Sequence, residues 1–403
     1  MTTKSATAFS TWAAFACAGL FFLFEFVARI SPSLAPEEIA RWFGLSEGVF
    51  STLASLFFWI YAPMQIVVGL LLDRFGARRF VLPAILACAA GMALFAATDM
   101  PLVAAAARLL TGLGASFAFV GALYIVNHRF APGRFALLSG LVNAVGMLGT
   151  AIGATALSLM VEAQGWRPVF LAIALAGLGI FGLALAFLRD GPDAPRPAAD
   201  PHPLAPLRPL LRDGRVWLIA LQGALFYMPV NVYGGLWGKA ELMADRGFGD
   251  GEAEFTVSMI FWGMALGSVG AGLLSDLLGH RQRVLLLGTL LAGVSYAVAL
   301  FAPGLPVAGV AVALLLAGTF NGAQMLTFAM AKEGHPAAIS GTLIAFVNMV
   351  GIGGALVFQP LVGALLDATG GYFVAMLTIP GAVLLSAALA VFIRESRHPD
   401  HAA

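Results

Sequence analysis

Twelve long apolar runs, each close to the thickness of a bilayer when helical, follow one another along this chain. They fall near residues 10–34, 49–72, 80–98, 102–126, 135–160, 168–188, 216–237, 254–275, 284–302, 305–330, 339–365 and 372–393. A helix needs about 20 residues to cross the hydrocarbon. In lipid every backbone N–H and C=O must find its partner inside the segment, so runs of this length predict helices. Only 11% of the 403 residues are charged and 60% are hydrophobic, against about 25% charged in a soluble domain. Too few charges remain to cover a water-facing surface. The reading is an all-α membrane protein whose chief partner is the lipid bilayer.

The positions of the basic residues orient these spans. With the N-terminus inside, sixteen of the 22 Lys and Arg fall in cytoplasmic segments. Four (Arg41, Arg167, Lys239 and Arg246) fall outside, and Arg29 and Arg108 fall within spans. That bias predicts an even number of spans with both termini cytoplasmic; the expected location is a bacterial cytoplasmic (inner) membrane. The first apolar run is too long for a signal peptide and is read as a retained span. Cys17 and Cys88 both sit in apolar runs, which implies no disulfide framework. A net charge of +1 gives no reason to invoke nucleic acid.

Residues 189–215 are polar and hold seven prolines. They read as a cytoplasmic linker, helical near Leu207–Leu211, between six-helix bundles at 1–188 and 216–403. The two halves repeat one another. Adding 203 maps Phe58, Trp59, Gly69, Asp73, Gly76 and Arg78 onto Phe261, Trp262, Gly272, Asp276, Gly279 and Arg281. Adding 205 maps Asn143, Gly146 and Gly149 onto Asn348, Gly351 and Gly354. Parallel repeats of this kind place a binding site between the halves, with rocking of one on the other.

The loop after the second span, with Gly69, Asp73, Arg74, Gly76, Arg78 and Arg79, resembles the loop signature between helices two and three of the major facilitator superfamily. Its weaker copy, with Asp276 and Arg281, sits between helices eight and nine. "RLLTGLGA" (Arg108, Gly112, Gly114) is similar to the fourth-helix motif, and Gly165, Trp166 and Phe170 also fit. The resemblance covers essentially the whole chain. It implies two pseudo-symmetric bundles and a loop that steadies the outward-facing state. Asp73 there can pair with an Arg of the other half or cap a helix N-terminus. Gly69 allows close helix contact and Gly76 a tight turn.

Of the 21 acidic residues only Glu25 is read as lying well inside a span. Buried charge is expensive in a bilayer, so such groups face the bundle interior and mark a pathway or relay. Glu25 and Arg29 are four residues apart and share a helix face. With Arg108 they form a set of formal charge +1, suited to an anionic or zwitterionic solute, and Arg offers a planar fork for a carboxylate. An incoming carboxylate could take Arg29 and leave Glu25 to take a proton, which is symport. The alternative is an ion pair that makes the first helix insertable, with Arg108 structural.

"ARISPSLAPEEIARWFGLS" is similar to the first-helix end of the anion:cation symporter branch, whose substrate-binding Arg matches Arg29. Ala28 stands where that branch carries Asp, and Phe117 where it carries a helix-four acid. "RISPS" and "YMPVNVYGGLWG" also resemble the phagosomal nutrient transporters, which take up amino acids or nucleosides.

By the same analogy helices one, four, seven and ten line the pathway. Tyr227 and Asn231 in helix seven, Asn321 and Gln324 in helix ten, Asn143 and Asn348 in helices five and eleven are the candidate solute contacts, beside Arg29 and Arg108. Pro229 and Gly234–Gly235 suit a bend. Each Asn or Gln could equally make an interhelical hydrogen bond.

The spans hold no nucleophile–base or metal-ligand cluster, and the chain has no ATPase motif. The reading is a secondary active transporter, not an enzyme. It works as a monomer without cofactor, moving a small carboxylate-bearing solute (organic anion, amino acid or small peptide) with a proton by alternating access. Efflux or exchange, or a transporter-like sensor that moves nothing, are the competing readings. Helix five lacks the Gly-Pro pair of drug antiporters.

Overall fold

A computed structural model describes residues 2–189 and 207–395. Among them, twelve helices are long and apolar enough to cross a membrane. They are α1 Phe9–Leu34, α2 Thr52–Phe75, α3 Arg78–Ala97, α4 Pro101–Arg129, α5 Pro132–Gln164, α6 Trp166–Phe187, α7 Gly214–Arg246, α8 Asp250–Leu278, α9 Arg281–Phe301, α10 Val307–Lys332, α11 Ala337–Thr369 and α12 Tyr372–Phe392. Each of the twelve apolar runs has become one helix. Most of the proline-rich linker, residues 190–206, lies outside the described residues. Its end forms the short helix Leu207–Arg212.

The chain packs into two compact units. One holds Met1–Ala131, Leu148–Leu204 and Ala338–Ala345. The other holds Pro132–Met147, Ala205–Ala337 and Phe346–Ala403. The start of α5 therefore counts with the second unit and the start of α11 with the first. Bare leucines such as Leu102, Leu175 and Leu277 stand exposed on the helices, as a lipid-facing surface requires.

Lipid tails are as apolar as leucine, so helices here associate by close packing and polar contacts. In the second unit α8 meets α10 across glycines. A Cβ on Gly267 would land on the Thr319 carbonyl, and one on Gly318 on the Ile260 carbonyl. In the first unit a Cβ on Gly114 would overlap the backbone of Ala84 and Cys88 in α3.

Each helix leaves four carbonyls without partners at its C-terminal end, a serious cost away from water. Arginines close many of these ends. Arg78 donates to Leu185 in the last turn of α6 and to Leu188 just after it, Arg129 to Arg189, and Arg167 to Thr98 after α3. Arg215 donates to Glu333 after α10, and Arg246 to Leu300 near the end of α9. The basic residues thus do structural work beyond orienting the chain.

The four helices expected to line the pathway are interrupted. α1 tightens to a 3₁₀ turn at Ser31–Leu34, and α4 breaks at Ser116–Phe117, where Gln65 of α2 donates to the Ser116 carbonyl. α7 widens to a π-helix over Val230–Trp237, immediately after Pro229. α10 passes through a 3₁₀ turn at Gly322–Met325. α12 also carries a turn, at Leu377. Proline removes an N–H from the ladder, and local 3₁₀ or π geometry re-satisfies the freed groups.

One expectation is corrected. The seventh apolar run ends near 237, but α7 continues through the π-helix to Arg246. Glu241 lies inside it, only 4% exposed. Glu25 is therefore not the only buried carboxylate on a membrane-spanning helix. The hydropathy of "GKAELMADR" hid this, because four charged residues (Lys239, Glu241, Asp245 and Arg246) fall on turns whose inner face still packs against the unit.

Candidate functional site

α1 carries Glu25 and Arg29 one turn apart on the same face. Arg29 Nε donates to Glu25 Oε1 at 2.8 Å, and Nη2 reaches the same oxygen. The Glu25 side chain is fully buried, whereas that of Arg29 keeps 18% exposure. Among the described residues Glu25 Oε2 has no hydrogen-bond partner. The guanidinium carbon lies 4.3 Å from the Phe26 ring centre, 5.4 Å from that of Tyr61, 5.8 Å from Phe57 and 5.9 Å from Phe58. Aromatic faces hold a cation electrostatically. Chemically, this is a sealed carboxylate joined to a cation that can still be reached.

Arg108 of α4 is 2% exposed. Its Nη1 donates to the Ala28 carbonyl at 3.0 Å, and its Nη2 to those of Arg29 and Ala54 at 3.2 and 3.1 Å. In an unbroken helix the Ala28 carbonyl would accept from residue 32, but that residue is Pro32 and has no N–H. Arg108 supplies the missing donor. The sequence reading placed Arg108 beside Arg29 as a solute contact; the structure shows its guanidinium committed to backbone directly behind Arg29.

The loop after α2 acts on the start of α11, inside the same unit. Asp73 Oδ1 accepts from the Gly341 amide at 2.8 Å, and Oδ2 accepts from the Thr342 amide and hydroxyl, both at 2.7 Å. These are orphan donors in the first turn of a helix, where the dipole also favours a negative charge. Of the two roles open to Asp73 in the sequence, capping a helix is the one present. Gly69 lets the backbones meet, since a Cβ there would come within 2.7 Å of Ala345 Cβ and Thr342 Cα. Gly76 turns the chain at φ +82°. Arg74 and Arg79 lie over the Phe75 ring, and Arg78 closes α6. The repeat copy differs: Asp276 lies 3.7 Å from Arg281, which pairs with Glu333.

The remaining candidates sit in the second unit. Tyr296 donates to Asn321 Oδ1 at 3.3 Å, while Asn321 Nδ2 is buried without a hydrogen-bond partner among the described residues. The Asn143 Nδ2 is likewise buried and unpartnered. Gln359 Nε2 donates to the Asn231 carbonyl at 3.0 Å. Gln324 is buried at the α10 turn; Tyr227 and Asn348 are half-buried. Asn143 and Asn348, equivalent in the repeat, both belong to this unit. Sequence reasoning missed Glu241. Its signal was available: Glu38 and Gly44 map onto Glu241 and Gly247 at the same offset of 203, and both glycines are left-handed helix ends at φ +65° and +68°.

Among the described residues, twelve long apolar helices in two units, several of them interrupted, define a multi-pass membrane protein. The comparisons agree. The description "Major Facilitator Superfamily" matches over residues 12–240 and 219–403. The "Gentisate transporter" of Corynebacterium glutamicum is 30% identical over 400 residues, covering 93% of this chain and 86% of that protein. The "Probable sulfoacetate transporter SauU" of Cupriavidus necator is 25% identical, covering 92% and 90%. The crystal structure of the transporter FucP in the outward conformation superposes with a TM-score of 0.75 at 16% identity, over 96% of this chain and all of that one. This chain belongs to the Major Facilitator Superfamily.

Proposed function

We propose that the protein is a secondary active transporter that carries a small carboxylate-bearing solute across the bacterial cytoplasmic membrane by alternating access, coupled to a proton. Both termini lie on the cytoplasmic side in this reading, as the distribution of Lys and Arg favours. The observation that carries it is the Glu25–Arg29 pair: a sealed carboxylate bound through one oxygen to a partly reachable guanidinium. A solute carboxylate approaches Arg29 from its exposed side and competes for its planar fork. Arg29 then divides its charge between two anions, and Glu25, buried in lipid depth, takes up a proton to restore neutrality. Solute and proton load together. Arg108 holds the end of α1 so that Arg29 stays in place. The relatives named for gentisate and for sulfoacetate support an organic anion, since both compounds are organic anions.

The test uses the purified full-length protein. Thermal shifts are measured against gentisate, sulfoacetate, tartrate and a set of amino acids, in the wild type and in Arg29→Ala. A stabilising acid whose shift disappears in Arg29→Ala is the expected result; a shift that survives unchanged removes Arg29 from the site. In proteoliposomes with an inward proton gradient, the wild type accumulates that acid and Glu25→Gln only equilibrates it. Accumulation by Glu25→Gln against a gradient ends the coupling proposal.

A further inference from the structure

The second unit contains an ionisable cluster that the carrier reading above does not use. Tyr233 OH donates to Glu241 Oε2 at 2.8 Å, and Arg246 Nε lies 3.4 Å from Oε1. Arg246 also donates to the Leu300 carbonyl at 2.5 Å, so it is anchored independently of the carboxylate. Tyr233 is fully buried. Both oxygens of Glu241 are thus engaged, one by a neutral hydroxyl and one by a fixed cation.

Tyr233 lies in the middle of the π-helix, Val230–Trp237. Such segments are uncommon and cluster at functional positions. This one is clamped on two sides. Gln359 of α11 donates to the Asn231 carbonyl at 3.0 Å and accepts from Trp237 Nε1 at 3.2 Å. The Tyr233–Glu241 bond ties its centre to the α-helical turn that follows. Gly238 makes room, since a Cβ there would come within 2.9 Å of the Tyr233 ring.

Glu241 is buried but borders a cavity of about 360 Å³ with Asp245, Arg246, Phe248, Phe301 and Tyr372. The matching corner of the first unit is built otherwise. There Glu38 is exposed, and Arg167 and the Trp42 indole N–H bond Asp99, holding its carboxyl below the ordinary carboxylate range. The repeat therefore shows that burial of this carboxylate is particular to α7.

We propose that Glu241 is a second proton-binding site of the carrier, loaded from this cavity, and that its charge state is passed through Tyr233 to the π-helical segment of α7. A proton from cavity water adds to a carboxylate oxygen and leaves a neutral acid. Arg246 keeps its charge and its bond to Leu300, and Tyr233 loses a charged acceptor. The groups facing Glu241 are Tyr233, Asp245 and Arg246 on α7 and Tyr372 at the start of α12, with Tyr296 of α9 behind Tyr233. On α8, Asp250 and Glu254 are taken up by Lys239 at 3.0 and 3.2 Å. Among the described residues no group of three or more His, Cys, Asp or Glu is arranged to hold a metal ion; a proton is the cation that fits between a tyrosine and an arginine.

The test is infrared difference spectroscopy across a pH step on the full-length protein in lipid, with Glu25→Gln as background so that the α1 site is silent. Glu25→Gln retains a titrating carboxylic-acid carbonyl band, Glu25→Gln/Glu241→Gln loses it, and Glu25→Gln/Tyr233→Phe shifts its frequency. A band unchanged by Glu241→Gln overturns the assignment, whatever becomes of the Arg29 reading. Hydrogen exchange over residues 230–241 reads the second half of the proposal. In wild type the protection there, taken relative to the intrinsic exchange rate at each pH, falls roughly tenfold or more on acidification, the equivalent of losing one hydrogen bond to a charged group. In Glu241→Gln that protection is independent of pH; a pH dependence of the protection that persists there refutes transmission through α7. Tyr233→Phe, which leaves the carboxylate in place, provides the same readout should Glu241→Gln fold poorly.

Discussion

Replacing Asp73 by Asn removes the charge that holds the start of α11. The native carboxylate accepts from the Gly341 amide, the Thr342 amide and the Thr342 hydroxyl at 2.7–2.8 Å. Asparagine keeps one acceptor oxygen. If that oxygen faces Thr342, its NH₂ meets the Gly341 N–H, donor against donor; if it is flipped, both Thr342 bonds are lost. Hydrogen bonds to a charged group are worth about 1.5–3 kcal/mol, and the dipole adds about 0.3–1 kcal/mol. The net loss at the start of α11 is therefore about 2–3 kcal/mol, or roughly 30- to 150-fold in an opening equilibrium. Hydrogen exchange of peptides covering 338–345 measures this directly. Asp73→Asn accelerates exchange there by that factor, while Asp276→Asn, whose carboxylate faces Arg281, leaves the same peptides as in wild type. Exchange raised less than about threefold by Asp73→Asn refutes the claim that this carboxylate holds the helix.

Two further outcomes follow from packing and from Arg108. Gly267→Ala forces a Cβ onto the Thr319 carbonyl and lowers thermal stability by about 1–3 kcal/mol. Gly270→Ala, three residues away in open space, raises it by about 0.5–1 kcal/mol because alanine is the better helix former; matching signs for the pair would show that the close approach of α8 and α10 is not limiting. Arg108→Lys cannot serve three carbonyls and costs about 1–3 kcal/mol for each one left bare. Its melting temperature falls while the ligand-induced shift survives; loss of that shift would return Arg108 to the solute site.

Much of the architecture was legible because a bilayer permits few solutions. Twelve apolar runs became twelve helices, and even the short helix at Leu207–Arg212 lay where leucines resume after the prolines. The duplicated loop located Asp73 and Asp276, and the spacing of Glu25 and Arg29 foretold their contact, since four residues is one helical turn. Less legible was what each charge touches. Nothing in the order of residues says that Asp73 meets amides 268 and 269 positions away, or that Arg108 answers the missing N–H of Pro32.

The sequence by itself determined the helical class, the number of spans and the internal repeat, because hydrophobic length and periodicity act locally and lipid enforces them. Tertiary structure alone decided which charges are open and which are committed. Equivalent positions of the repeat, Asp73 and Asp276 or Glu38 and Glu241, carry the same residue yet differ in role. A charge in a low-dielectric setting takes its character from the partners and burial that packing brings to it, and those come from helices distant in sequence.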